Sequence, residues 1–265
     1  MAVDVPPGGA PAASATHLVL IPSYDAGAGL AATVRDARAR WNPVWVVIDG
    51  STDGSGSAVD AIAATDPGVR VLHLPVNRGK GSAVLAGLRT ARDAGYTHAL
   101  TMDSDGQHPA HRIVDFMRAS RAAPDAMILG RPVFDADAPA LRVQGRRVSN
   151  WWAKLETLRF DERGIGDSLF GFRVYPVAPL IAVMEQTRFM RRFDFDPEAV
   201  VRLAWRGVRP VNVDAEVRYL AADEGGVSHF HYGRDNLLLT WMHLRLMTGF
   251  VLRLPRLLAR RSARR

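Results

Sequence analysis

Asp103, Asp105 and Gln107 stand at alternate positions in "TMDSDGQHP", where an apolar run meets a polar turn. Carboxylate and amide oxygens are hard ligands suited to Mg²⁺ or Mn²⁺, ions that bridge one or two carboxylates to a substrate's phosphates. One carboxylate of such a pair can face the cation and the other a ribose hydroxyl or a second water, and Gly106 lets backbone approach closely. Three other chemistries share parts of this pattern. "DSDG" is half of an EF-hand loop, but the acidic residue at the twelfth position and the flanking helices are missing. A phosphatase-type Asp nucleophile also sits at a strand end, normally the first of its domain. A dinucleotide fold is suggested by Gly27, Gly29 and Ala32 with Asp49 further on, although "PSYDA" separates the glycines from the strand and the Asp pair stays unexplained.

These residues need a scaffold that brings strand ends together. The runs "HLVLI" (17–21), "VWVVI" (44–48), "VRVLH" (69–73), "HALTM" (98–102) and "AMILG" (126–130) have strand length. Between them, Leu30, Val34, Ala37 and Trp41, then Val84, Leu85, Leu88 and Ala91, then Ile113, Phe116 and Met117 recur at helical spacing. Alternation of this kind predicts right-handed βαβ units and a mainly parallel sheet, whose ligands sit beyond the carboxyl ends of the strands. The polar residues after each run therefore converge: Pro22, Tyr24 and Asp25; Asp49 and Asp53; Arg78 and Lys80; Asp103 and Asp105. Beyond residue 131 we expect a loop and helix containing "WWAKLETL", the segment "GDSLFGFRVY", a helix over 196–207, a β-like run over 208–220, a mobile loop and a long amphipathic stretch from about 234.

Composition narrows the chemistry. The chain has no cysteine, which excludes disulfides, thiolate metal sites and a Cys nucleophile. The first sixteen residues lack a basic region followed by an apolar one and are expected to be a flexible tail rather than a signal peptide. No uninterrupted apolar run reaches the roughly 20 residues of a membrane span. The net charge of +7 concentrates at the C-terminus, where Arg253, Arg256, Arg260, Arg261, Arg264 and Arg265 follow alternating Leu, Trp, Met and Phe. A basic amphipathic helix of this type suits an anionic membrane interface, and its other reading is an ordinary packing helix. Nucleic acid is not expected, since no recognition module or aromatic interleaving accompanies the charge. His108 with His111, and His229 with His231, are too scattered to argue for Zn²⁺, and His229 is better placed on a closing lid.

Read together, "LIPSYDAGAGL", "VVIDGSTDGS", "VNRGKGSAVLAGL" and "TMDSDGQHP" resemble the successive signatures of family 2 glycosyltransferases of the GT-A fold, in the polyprenyl- or dolichyl-phosphate sugar synthase branch. The resemblance covers about residues 17 to 220. It implies a nucleotide-diphosphate sugar donor, a divalent metal (Mn²⁺ or Mg²⁺) and inversion at the anomeric carbon. Carried over, Pro22, Tyr24 and Asp25 line the nucleoside and Asp49 accepts from the base, with Arg78 and Lys80 beside the nucleotide. Asp103 and Asp105 form the metal and ribose pair, with Gln107 as third ligand. Asp167 falls on the acceptor side as candidate base, and Arg131, Arg146, Arg147 and Arg173 are candidate acceptor contacts. Departures are Asp25-Ala26 for the usual Asn-Glu, Ile48-Asp49 for paired Asp, and Phe170 in place of a Ser that helps hold acceptor phosphate.

The chemistry fits these types. Negative charge develops on the leaving diphosphate, and a cation with Lys or Arg stabilises it. A hydroxyl acceptor needs a carboxylate such as Asp167 to take its proton, whereas a lipid phosphate is already ionised and needs arginines to hold it. The expectations are thus an α/β, Rossmann-like sheet flanked by helices over 17–233 (nucleotide part 17–130, acceptor part 131–233) and a basic amphipathic extension over 234–265. The function expected is metal-dependent sugar transfer to a lipid-linked acceptor, polyprenyl phosphate or glycolipid hydroxyl, in the cytoplasm at the inner face of the membrane. The alternatives are an NAD(P)-dependent oxidoreductase and a non-catalytic membrane-associated binding protein.

Overall fold

The computed structural model of the chain describes residues 11–134, 140–217 and 232–262. The five apolar runs form β1 (His17–Ser23), β2 (Val44–Asp49), β3 (Val69–Leu74), β4 (His98–Thr101) and β5 (Ala126–Val133). Two further strands follow, β6 (Arg173–Pro176) and β7 (Arg209–Glu216). The helices are α1 (Gly29–Arg38), α2 (Ser55–Ala63), α3 (Lys80–Asp93), α4 (Ile113–Ala122), α5 (Ala140–Thr157), α6 (Val177–Glu185), α7 (Phe195–Arg206) and α8 (Tyr232–Ser262).

The strands form one sheet in the order β3-β2-β1-β4-β6-β5-β7. β6 runs antiparallel to β4 and β5, and every other pairing is parallel. The mainly parallel sheet expected from the alternation is present, and β6 is its exception.

Side-chain alternation divides the core in two. Leu18 and Leu20 of β1 and Trp45 and Val47 of β2 face α3, α6, α7 and α8. Val19, Ile21, Val44, Val46 and Ile48 face the other way, onto Leu30 and Val34 of α1, Val59 of α2 and Phe116 of α4. Strands buried on both faces read as continuous apolar runs, which is why the sequence marks them so plainly. Each of these enclosed aliphatic side chains contributes about 1.5–3 kcal/mol over an exposed one.

Residues 11–16, read from sequence as part of a flexible tail, are fastened to the sheet: the Ser14 amide donates to the Asn42 carbonyl at 2.8 Å and the Asn42 amide side chain to the Pro11 carbonyl at 3.1 Å. Residues 1–10, the loop holding His229 and His231, the last residues of the 208–220 run, and Arg264 and Arg265 lie outside the described residues.

The amphipathic stretch expected from about 234 is α8, and both of its sides are apolar. Met242, Leu246 and Phe250 enter the core. Leu237, Trp241, Leu244, Val251 and Leu258 form a solvent-facing stripe at helical spacing. Its 23 residues Leu237–Ala259 contain an 18-residue window of mean hydropathy 1.2, long and apolar enough to cross a membrane by length and composition, where the sequence led us to expect no such segment. Interspersed His and Arg break the apolar run to the eye without lowering its average below that of a span. Only 22% of the stretch is buried.

Candidate active site

The rim beyond the carboxyl ends of β1, β2 and β4 is built by turns that tie to one another. The Asp25 amide donates to Ser51 Oγ at 3.0 Å and Asp25 Oδ1 accepts from the Thr52 amide at 2.7 Å. Asp53 accepts from the Gly27 amide at 2.8 Å and from Ser55 Oγ at 2.6 Å. Pro22 is buried at the end of β1, and Tyr24 is half-buried just past it. Asp49, 2% exposed, accepts from the Gly79 amide at 2.7 Å and from the Arg78 amide at 3.1 Å. Its carboxylate thus holds the turn that opens α3. Gly50, at φ +68°, lies where a Cβ would come 2.5 Å from the Asn77 nitrogen, so the two turns close only over a glycine.

That turn delivers Lys80, the first residue of α3. Its ammonium contacts Asp103 Oδ1 at 2.7 Å and Asp196 Oδ2 at 2.6 Å. Burial works against the ammonium, but Asp103 and Asp196 outweigh it and hold its pKa above the ordinary lysine range. Burial alone would push the Asp103 carboxyl up; Lys80, with His108 and Arg173 behind it, brings it down to about 2. Asp105 goes the other way, raised by burial and by the Asp103 charge.

Local contacts shape the Asp103 turn. Asp103 donates its amide to His108 Nδ1 at 2.9 Å, and the Gln107 amide donates to Asp105 Oδ1 at 3.0 Å. An accepting Nδ1 makes the His108 ring a neutral tautomer protonated on Nε2, which lies 3.6 Å from Asp103 Oδ2. Burial lowers the His108 pKa further. His108 packs edge-on against Phe170 at 4.7 Å, so Phe170, 4% exposed, is a core residue. Gly171 presses on the ion pair from behind: a Cβ there would stand 2.8 Å from Lys80 Nζ.

On the far side, Asp167 is 2% exposed and saturated with donors. Its Oδ1 accepts from Arg146 at 2.7 Å, from the Leu169 amide at 2.9 Å and from the Phe170 amide at 2.6 Å, and Oδ2 accepts from Asn150 at 3.0 Å. Arg146 and Asn150 both come from α5. Arg147 is exposed on the same helix, and Arg131 pairs with Asp214 across β5 and β7 at 3.0 Å. Arg173 differs from these three. It is fully enclosed, donating to the Asp196 carbonyl at 2.6 Å and to Tyr175 Oη at 2.9 Å. It forms the floor under the Lys80 pair rather than a surface for an acceptor.

Sequence reasoning missed Asp196 and the roles of His108 and Tyr175. Asp196 lies in "DFDPEAV", where Asp-Pro signals a helix start but not a lysine 116 positions earlier. A cavity of about 1200 Å³ lies elsewhere, lined by Arg159, Arg163, Asn212 and Leu257 and by none of the residues above.

A lone lysine bridging two carboxylates, a second carboxyl raised by its neighbour and a nearby amide make an excess of hard oxygen beside a cationic wall. Among the described residues no group of three His, Cys, Asp or Glu is spaced to hold a metal. The hard-ligand set available is the two Asp with Gln107. Comparison with known proteins identifies the family. Residues 18–183 match the family described as glycosyl transferase family 2. The chain is 32% identical over 208 residues to an undecaprenyl-phosphate mannosyltransferase of Micrococcus luteus, across 74% of this chain and 81% of that one. It is 32% identical over 170 residues to a polyprenol monophosphomannose synthase of Mycolicibacterium smegmatis, across 60% of each. The fold is similar to that of glucosyl-3-phosphoglycerate synthase from Mycobacterium tuberculosis, solved in complex with Mn²⁺, UDP-glucose and phosphoglyceric acid, with TM-score 0.55, 17% identity and coverage of 79% and 74% of the two chains.

Proposed function

The chain belongs to glycosyltransferase family 2 and is a glycosyltransferase of GT-A fold, and from that premise we propose that it moves a sugar from a nucleotide-diphosphate donor to the phosphate of a polyprenyl lipid. The observation that carries the choice of acceptor is the Asp167 carboxylate, which already accepts four hydrogen bonds. With its acceptor sites already taken by Arg146, Asn150 and two backbone amides, the carboxylate has no lone pair left to receive a hydroxyl's proton, whereas a lipid phosphate arrives ionised and needs no base. Both 32% relatives bear names that describe transfer to a polyprenyl or undecaprenyl phosphate.

In this reading Pro22, Tyr24 and Asp25 border the nucleoside, Asp49 sets the 78–79 turn, and Lys80 with Arg78 faces the diphosphate. Asp103, Asp105 and Gln107 would hold a divalent cation, consistent with their hard oxygens and with the mutual repulsion of the two carboxylates. Such a cation supplies charge neutralisation for the leaving diphosphate. Arg146, held by Asp167, binds the acceptor phosphate on the opposite face of the sugar, giving inversion, with Arg147 and Arg131 as further candidate contacts. Asp167 acts as a positioning residue, fixing Arg146 and the turn to Phe170. The outward stripe of α8, with Arg253 and Arg256, lies on the anionic inner face of the membrane that carries the acceptor.

Transfer of labelled sugar should proceed to polyprenyl phosphate and fail with the matching polyprenol; transfer to the polyprenol would refute the acceptor. Melting temperature measured with UDP, GDP and CDP, with and without Mn²⁺, should rise for one nucleotide and only with metal. A rise with every nucleotide, or one that ignores metal, would refute the metal-dependent donor site.

A further inference from the structure

α8 departs from the main body after the strands are complete, yet one turn of it carries two polar side chains into the core. Arg245, its side chain 11% exposed, donates to Glu198 of α7 at 3.1 Å and stands 3.7 Å from Asp194, with its guanidinium 3.4 Å over the Phe189 ring. Asp194 in turn accepts from the Met190 amide at 3.0 Å and the Arg192 amide at 3.0 Å. The turn so held is the one against which α3 begins: the Ser82 amide donates to the Arg191 carbonyl at 3.1 Å, and a Cβ on Gly81 would come 2.2 Å from the Met190 carbonyl oxygen. Lys80 therefore starts its helix against a wall that α8 supports.

His243, two residues earlier, reaches the opposite wall. Its Nδ1 contacts Glu156 of α5 at 2.8 Å, with the Glu156 side chain fully buried, and its ring stacks on Trp152 at 5.8 Å. Nε2 lies 3.4 Å from Ser149 Oγ. Glu156 and Ser149 belong to the same rigid helix as Arg146 and Asn150, the two side chains that grip Asp167. Ser149, His243 and Glu156 have the order of a nucleophile-base-acid triad, but all three are enclosed, so their arrangement braces rather than reacts.

We infer that α8 is a two-sided brace: Arg245 positions the donor wall through the 189–194 turn, and His243 positions the acceptor wall through α5. The assignment of walls to donor and acceptor rests on the function proposed above; the bracing itself does not. It changes the division of the chain, since the stretch expected as a separate basic amphipathic extension becomes part of what shapes the site.

The test uses the full chain and three variants. Arg245→Ala leaves Glu198 its 2.6 Å pair with Arg202 and Asp194 its hydrogen bonds from the Met190 and Arg192 amides, and Glu156→Gln combined with His243→Phe replaces both partners of the second contact together. In hydrogen exchange without substrates, Arg245→Ala should speed the amides of Ser82, Met190 and Arg192 by about 10-fold and leave Leu169 and Phe170 unchanged, and the paired variant should do the reverse. In steady-state kinetics Arg245→Ala should raise the donor KM by about 5- to 20-fold with acceptor KM within about 2-fold, the paired variant should show the crossed pattern, and Arg245→Lys should recover most of the loss. Equal acceleration of both sets of amides in both variants, or no change in either, would overturn the brace. A local exchange pattern without the crossed KM pattern would keep the brace and discard the donor and acceptor labels.

Discussion

β1 and β4 are neighbours, and each ends in a buried polar cluster at both of its termini. At their N-terminal ends His17 and His98 stack at 4.4 Å with 9° between the rings, and every ring nitrogen has a partner: Thr16 and Ser120 for His17, Thr97 and the Pro124 carbonyl for His98. At their C-terminal ends stand Asp103, Lys80 and Asp196, where Asp196 Oδ1 and Arg173 Nε are buried without a partner. The first cluster is two stacked rings with every nitrogen partnered; the second is built of a cation between two carboxylates. Charge gathered beyond the carboxyl ends of parallel strands is what a site for a charged ligand needs, and a cluster that serves only the fold has no such need.

The contrast breaks most sharply at Asp105. On the proposed function, Asp105→Asn should cut kcat by about 100-fold or more, because it removes the negative charge with which Asp105 would hold the cation that stabilises the leaving group. It should also leave the melting temperature unchanged or raised, since one of two repelling carboxylates is gone; retained activity in a purified variant would sink the assignment. Lys80→Met should be costly on both counts. Asp103 and Asp196 lose their shared cation, and removing one partner of a buried pair costs about 3–5 kcal/mol, readable as a fall in urea midpoint together with lost turnover. At the opposite end the effect should be on stability alone. Burial, then the His98 ring and Arg121, lowers the His17 pKa to about 4. The unfolded chain therefore binds the extra proton between pH 6.5 and about 4, so the contribution of the neutral ring is complete above pH 6.5 and lost as pH falls through that window. The loss reaches up to about 3 kcal/mol; urea melts from pH 7 to pH 4 should show the slope, and His17→Gln should flatten it. Smallest is Ser120→Ala, which removes one neutral hydrogen bond to His17 and should cost about 1 kcal/mol with kcat unaltered. A drop in kcat per folded molecule there would erase the distinction between the two ends.

How far these clusters could be read beforehand follows from the range of the forces that make them. β1 to β5 and the stripes of α1, α3 and α4 were legible because strand and helix periods are local. So were Asp103, Asp105 and Lys80, which lie at junctions where polar residues interrupt apolar runs. Asp196 was not, because its meaning comes from a lysine on another element. Asp167 was found but read as a base; only the geometry shows its four donors. Arg173 was grouped with exposed arginines because a sequence does not display the enclosure that β6 gives it. α8 was read as a single amphipath, since its inward and outward faces are both apolar and the buried partners of His243 and Arg245 lie on α5 and α7.

The place of β6 in the sheet has a further consequence during synthesis. The slot between β4 and β5 is filled by a strand that leaves the ribosome after both of them. Until Arg173–Pro176 emerge, the backbone donors and acceptors along that edge of β4 have no permanent partner, and β5 has no route to the four strands already made. At translation rates of about 5–20 residues per second the interval lasts a few seconds. During it a growing chain exposes a short open edge, the kind of surface on which nascent chains pair with one another. Chaperone engagement in that window, and slower translation codons placed after residue 176 rather than before it, would be the cellular signature of a sheet finished from its middle.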